Sequence, residues 1–151
     1  MNEEVVELTA MIEDKNVRMV AGMTFNEGKI KGRDVVVVEC GIAKVNAAMC
    51  TQILISEFGV GALINTGVAG ALHEDLNIND VVISTDAIQY DVDASSLGDP
   101  KGTIPRMKTS VFVADSSLID MAYESFLEEK SDYKAYKGRV VTGDKFVASL
   151  E

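Results

Sequence analysis

A single histidine, His73, is all this sequence offers for imidazole chemistry, so a multi-histidine metal site cannot be built from these residues alone, and a Ser-His-Asp triad would have no histidine to spare. His73 is expected on a surface loop. Cysteine is almost as scarce: Cys40 ends a β-run, Cys50 lies in a helical segment, and no CxxC spacing exists. Both are expected to be buried thiols rather than a metal or redox pair. The fourteen lysines and arginines are scattered and the net charge is −10, which argues against nucleic acid or an anionic membrane as partner. No apolar run approaches the roughly 20 residues of a membrane span. The start, Met1-Asn2-Glu3-Glu4, is acidic where a signal peptide is basic, so a cytoplasmic protein is expected. Asp86, Asp91 and Asp93 read as solvated loop acids rather than a cation site, and neither a metal nor a cofactor is called for.

What is present is the composition of a globular domain with a sizeable core, 47% hydrophobic and 25% charged. Asn2 followed by Glu3 and Glu4, with Val5, Leu8, Ala10, Met11 and Ile12 at helical spacing, predicts an N-capped helix. Residues 19–25, 29–31 and 35–39 predict β-strands in an antiparallel meander, with turns at Glu27-Gly28 and Gly32-Arg33-Asp34. A helix is predicted over 44–58 and stopped by Gly59, with Ala47, Cys50, Leu54 and Phe58 on one stripe. Val45, Met49 and Ile53 widen that stripe enough to imply burial on two sides. A strand is predicted at 80–84, continuing at 87–90 beyond a bulge, followed by a long loop over 91–107 that holds both prolines. Asp115 caps a helix to about residue 130, and 137–142 form the last strand. This alternation argues for an α/β protein with a mixed or parallel sheet and ligands at strand carboxyl ends.

The stretch Ile64-Asn65-Thr66-Gly67-Val68-Ala69-Gly70-Ala71-Leu72 carries most information. Residues 62–64 predict a short buried strand, which breaks into small residues where backbone can approach a ligand. Alone, Gly-x-x-Gly after a strand is a common turn.

In order and spacing, however, Met1-x-Glu3-Glu4-Val5, Cys40-Gly41-Ile42-Ala43-Lys44-Val45-Asn46-Ala47-Ala48, Asn65-Thr66-Gly67-Val68-Ala69-Gly70, Asp91-x-Asp93 and Thr142-Gly143-Asp144-Lys145-Phe146 together resemble the 5′-methylthioadenosine/S-adenosylhomocysteine nucleosidases. The resemblance spans nearly the whole chain. It implies the nucleoside phosphorylase fold, three αβα layers around a mixed, partly barrel-like sheet, and hydrolysis of the N-glycosidic bond of adenosine thioethers to adenine and a thioribose. Glu4 then matches the carboxylate that activates water against an oxocarbenium-like sugar, as in glycosidase logic. Val68, Ala69 and Gly70 match the loop along sugar and base, Ile42 an apolar wall, and Phe146 and Val147 the segment that stacks on and hydrogen-bonds to adenine. Many relatives have serine at Val68, so a backbone amide has to serve there. Leu97 and Pro105 match positions that reach the neighbouring subunit's thioalkyl pocket in the family's homodimers.

The resemblance also has departures. Family members open with a buried strand before the Met-x-Glu-Glu helix, and continue to a ribose-binding Val-Glu-Met-Glu and to the aspartate that protonates the purine. Residues 1–151 are therefore expected to be a single nucleosidase domain fragment, lacking the first strand and the C-terminal part, inactive in isolation and with exposed sheet edges. Two other readings stand beside it. A purine nucleoside phosphorylase shares the fold but needs cationic phosphate ligands, and Arg18, Arg33, Arg106 and Arg139 form no recognisable phosphate motif. A non-catalytic nucleoside-binding module would keep the pocket without the acids.

Overall fold

Two tight hairpins organise the first part of the chain. In the computed structural model, which describes residues 2–129 and 131–147 and side chains from Val5 onward, helix α1 (Asn2–Ala10) leads into strands β1 (Glu13–Val20), β2 (Met23–Ile30) and β3 (Arg33–Val38). The three form an antiparallel meander, as expected. Its turns fall elsewhere than the sequence suggests. Ala21-Gly22 and Lys31-Gly32 are two-residue loops with positive φ at both positions (50° and 79°; 50° and 76°), the type I′ geometry that matches strand twist. The expected strand 19–25 is therefore cut at Ala21-Gly22, and the expected turn at Glu27-Gly28 is instead the interior of β2. Gly28 is needed there because a Cβ would strike the Glu13 carbonyl and the Ile12 side chain where β1 bulges. Strand β1 itself escapes the sequence pattern, since Glu13-Asp14-Lys15-Asn16 reads as a turn and most of the strand is exposed.

Helix α2 (Lys44–Phe58) covers this sheet and ends as expected at Gly59, left-handed at φ 61°, whose N–H donates to the Leu54 carbonyl. Phe25, fully buried, stacks on Phe58 with ring centroids 4.8 Å apart, and Met23, Cys50 and Leu54 close the cluster. Arg18 lies over the outer side of the Phe58 ring at 4.5 Å and pairs with Glu57 at 3.7 Å. The buried stripe is Cys50, Ile53, Leu54 and Phe58; Ala47, Val45 and Met49 are exposed, so the expected second buried side of α2 is not found among the described residues. Cys50 is buried and Cys40 only half-buried, which corrects one of the two thiols. Burial, and then the neighbouring Cys40, push the Cys50 thiol above its ordinary range.

Residues 62–64 are not a strand. Leu63 and Ile64 are 43% and 77% exposed, because the run finds no ladder partner among the described residues and a lone strand does not hold. The chain divides near here into two compact units, Met1–Ala69 and Gly70–Glu151.

The second unit is a mixed three-stranded sheet, order β5-β4-β6. Strand β4 (Val81–Gln89) pairs parallel with β6 (Ala135–Thr142) and antiparallel with the two-residue β5 (Phe112–Val113), which the sequence does not announce. The expected bulge is present: the register shifts between Ser84 and Asp86. The crossover helix α3 (Ser116–Glu128) is capped by the Asp115 carboxylate, which accepts the Leu118 N–H at 3.0 Å. Ile119, Tyr123 and Phe126 are half-buried, whereas Ala122 is exposed. His73 sits on an exposed loop. Among the described residues neither sheet closes into a barrel, and no helix is long and apolar enough to cross a membrane.

Phe25→Ala is expected to destabilise the protein by about 3–5 kcal/mol, the cost of a large ring removed from a stacked, fully buried site. Denaturant unfolding measures it, and a loss below about 1 kcal/mol would show that the Phe25–Phe58 stack is not the centre of the first unit.

Candidate functional site

In the first unit the candidate residues follow the carboxyl end of β3. Helix α1 packs against β3 and carries Glu4, whose side chain lies outside the described residues, as does the expected cap contact of Asn2. Past β3 the chain turns through Gly41 (φ 81°), Ile42 and Ala43 into α2. Asn46, one turn into the helix, donates from Nδ2 to the Ile42 carbonyl at 2.6 Å. A Cβ at Gly41 would lie 3.3 Å from that amide, a tight but movable contact, so it is φ rather than space that favours glycine there. Ile42 is thereby held with its side chain 78% exposed, available to face a ligand. Ala43 is strained: φ 79° with ψ 158° is a region that only glycine enters freely. Its carbonyl accepts the first helical bond, from Ala47 at 3.2 Å, which fixes the peptide in that state. Val68 (81% exposed) and Ala69 lie in the irregular segment at the end of this unit.

In the second unit the candidates leave the carboxyl ends of two adjacent parallel strands. Strand β4 runs into Tyr90 and Asp91, and β6 into Gly143, Asp144 and Phe146. The Tyr90 N–H donates to the Thr142 carbonyl at 3.0 Å, and the Asp91 carboxylate accepts the Asp144 N–H at 2.9 Å. A Cβ on Gly143 would lie 2.7 Å from the Tyr90 ring and 3.0 Å from the Asp91 carboxyl carbon, so a larger residue there would displace one of these side chains. Beyond it Phe146 is 92% exposed and Val147 also lies open. Gly70, at the start of this unit, is exposed with open space around it.

The loop after β4 is tied internally. Asp93 accepts from the Ser95 hydroxyl at 2.6 Å and the Ser95 N–H at 3.0 Å, and pairs with Lys101 at 3.2 Å. Those contacts, the Ser95 hydroxyl foremost, pull its carboxyl down to about 2. The tie presents Leu97 on a 3₁₀ turn, 78% exposed, while Pro105 is half-buried near the Ile104 N–H that donates to the Ser110 hydroxyl at 2.8 Å.

Among the described residues no group of three His, Cys, Asp or Glu side chains could hold a metal ion. An open cavity of about 320 Å³ lies between the end of α3 and the start of β6, lined in part by Tyr123, Phe126, Tyr133 and Tyr136. It contains none of the candidate residues. The Tyr90-Asp91-Gly143 arrangement was missed by sequence reasoning, because two segments some fifty residues apart meet only when β4 and β6 align.

Ala43→Gly is expected to stabilise the protein by about 1 kcal/mol, as relief of strain outweighs the entropy that glycine adds to the unfolded chain; chemical denaturation reads it, and a destabilised variant would refute the strain. Asp93 is expected to titrate with a midpoint near 2. Its folded value is depressed, so its contribution is complete above the ordinary carboxylate value of 3.8 and is lost as pH falls through about 2. Carbon-detected NMR titration gives the midpoint, and a value at or above 3.8 would contradict the tie.

Known proteins align with this chain from end to end. A family profile described as "Phosphorylase superfamily" matches residues 1–151. A 5′-methylthioadenosine/S-adenosylhomocysteine nucleosidase of Staphylococcus haemolyticus is 40% identical over 151 residues, all of this chain and 65% of that protein. The crystal structure of such a nucleosidase from Colwellia psychrerythraea, in complex with adenine, matches 99% of this chain and 62% of its own, with TM-score 0.94 and 35% identity. That of the Neisseria meningitidis enzyme with methylthio-immucillin-A matches 99% and 64%, with TM-score 0.92 and 34% identity. The chain thus spans just under two thirds of the length of these relatives. On the profile match across its full length, and on a fold shared with these nucleosidases, the chain belongs to the phosphorylase superfamily.

Proposed function

We propose that the protein hydrolyses the N-glycosidic bond of 5′-methylthioadenosine and S-adenosylhomocysteine, giving adenine and the thioribose, in the cytoplasm and as a homodimer. One observation carries the reading: the agreement, over nearly the whole of this chain, with the structure of a nucleosidase that holds adenine. In this reading Glu4 takes a proton from water as its oxygen bonds to the anomeric carbon. The bond to the purine breaks with its electron pair, and the purine leaves as it gains a proton from a second acid, the role that the resemblance gives to the family's aspartate. Glu4 belongs to the first turn of α1, and the positive end of a helix dipole favours the ionised form of a carboxylic acid, which suits a base but limits its basicity.

The remaining candidates bind. Ile42 is the apolar wall; the backbone of Val68, Ala69 and Gly70 runs along sugar and base; Phe146 and Val147 form the segment that stacks on and hydrogen-bonds to adenine. Leu97 and Pro105 belong to the neighbouring subunit's thioalkyl pocket. Water rather than phosphate is the nucleophile in this reading. Two of the arginines that a phosphate would need are engaged: Arg18 with Glu57 and the Phe58 ring, and Arg139 with Asp86, a short contact across β4 and β6.

Adenine release from methylthioadenosine by the full-length protein, followed by chromatography, is expected to proceed at the same rate with and without phosphate. Glu4→Gln is expected to lower kcat by about 10²-fold or more, the usual size of a general-base contribution. Turnover that requires phosphate would make the protein a phosphorylase, and binding of adenine without turnover would make it a binding module.

A further inference from the structure

Asp91 comes directly after the last residues of the β4–β6 ladder. The final register pair is Gln89 with Thr142, so the bond that Asp91 accepts from the Asp144 N–H at 2.9 Å adds nothing to the pairing of the strands. It holds the turn beyond them. Tyr90 meets the same turn twice, by its N–H to the Thr142 carbonyl and by a ring that would have to shift for a Cβ at Gly143. Two residues further on, Phe146 is 92% exposed, so the place of its backbone follows from the turn that precedes it rather than from packing of its ring. A backbone N–H bound by a carboxylate is held more strongly than one bound by a neutral acceptor.

We infer that Asp91 is a positioning residue for nucleobase binding: its carboxylate, by fixing the Gly143-Asp144 turn, sets Phe146 and Val147 where they receive adenine. This rests on the functional reading above. A residue that orders a binding segment in advance removes an ordering cost from association. Losing it therefore weakens ligand binding even when the fold persists.

The test is the affinity of the full-length protein and its variants for adenine, by titration calorimetry, well below the unfolding midpoint of each. Asp91→Ala is expected to bind about tenfold more weakly, or ~1.4 kcal/mol, within the range of a hydrogen bond to a charged group. Asp91→Asn keeps an oxygen acceptor and is expected to stay within about threefold of the wild type. A purely structural role would lower the unfolding midpoint and leave affinity unmoved, and wild-type affinity in Asp91→Ala would overturn the inference. So would equal weakening in both variants, since the amide oxygen should rescue. If Asp91→Ala does not fold, Asp91→Glu takes its place: the carboxylate is carried one methylene past the amide, the same tenfold loss is expected, and unchanged affinity refutes the idea. A wild-type protein that does not bind adenine at all overturns the functional reading itself, and this inference with it.

Discussion

Alignment of β4 with β6 is the constraint on which the second unit depends. The two strands are parallel, so no hairpin fixes their register; they are separated in sequence by the long loop, β5 and α3. Two aspartates supply what a turn would otherwise supply. At the amino ends Asp80 accepts the Asn77 and Lys134 N–H groups, each at 2.9 Å, bonds that also hold its carboxyl below the usual range. In the middle Asp86 engages Arg139. The Asp80–Lys134 and Asp86–Arg139 contacts each cross more than fifty residues of chain and are satisfied in one register only. Asp91, past the last pair, holds the turn beyond the strands.

The first unit solves a different problem in a different way. Its meander has local turns that set register, so its side chains are free to serve packing, and the small core gathers around one aromatic stack under α2. Candidate site residues in both units lie outside the packed elements, on exposed segments whose backbone is fixed by a few polar contacts: Asn46 behind Ile42, Asp93 behind Leu97. Rigid elements with ligand-facing loops at strand ends are the usual division of labour in α/β proteins.

Much of this was legible in the residues. Gly59 and Asp115 announce helix ends by mechanism, and the break in the β4 pattern announces a bulge; all three are local signals. The short motifs, taken in order, carried the family. What escaped was non-local or context-dependent. Ala21-Gly22 is a turn only because it matches the twist of two strands, one of them too polar to recognise; residues 62–64 look like a strand but have no described partner; and β5 is two residues long. Glycine spacing could not reveal the crowding at Gly143, because it comes from the Tyr90 ring, far away in sequence.

The irregularity between Ser84 and Asp86 has a consequence for how this protein can change over evolutionary time. Ser84 stands opposite Gly138 while Asp86 stands opposite the very next residue, Arg139, so Thr85 is one residue in excess on one strand. The bulge absorbs that residue, so the positions beyond it keep facing their partners on β6. The Thr85 carbonyl still accepts the Ala114 N–H at 3.0 Å, so the residue that is surplus towards β6 is used on the other edge of β4. A strand shortened by Thr85 would keep its ladder to β6 and lose that tie to the segment after β5, which binds three stretches of chain into one inherited unit.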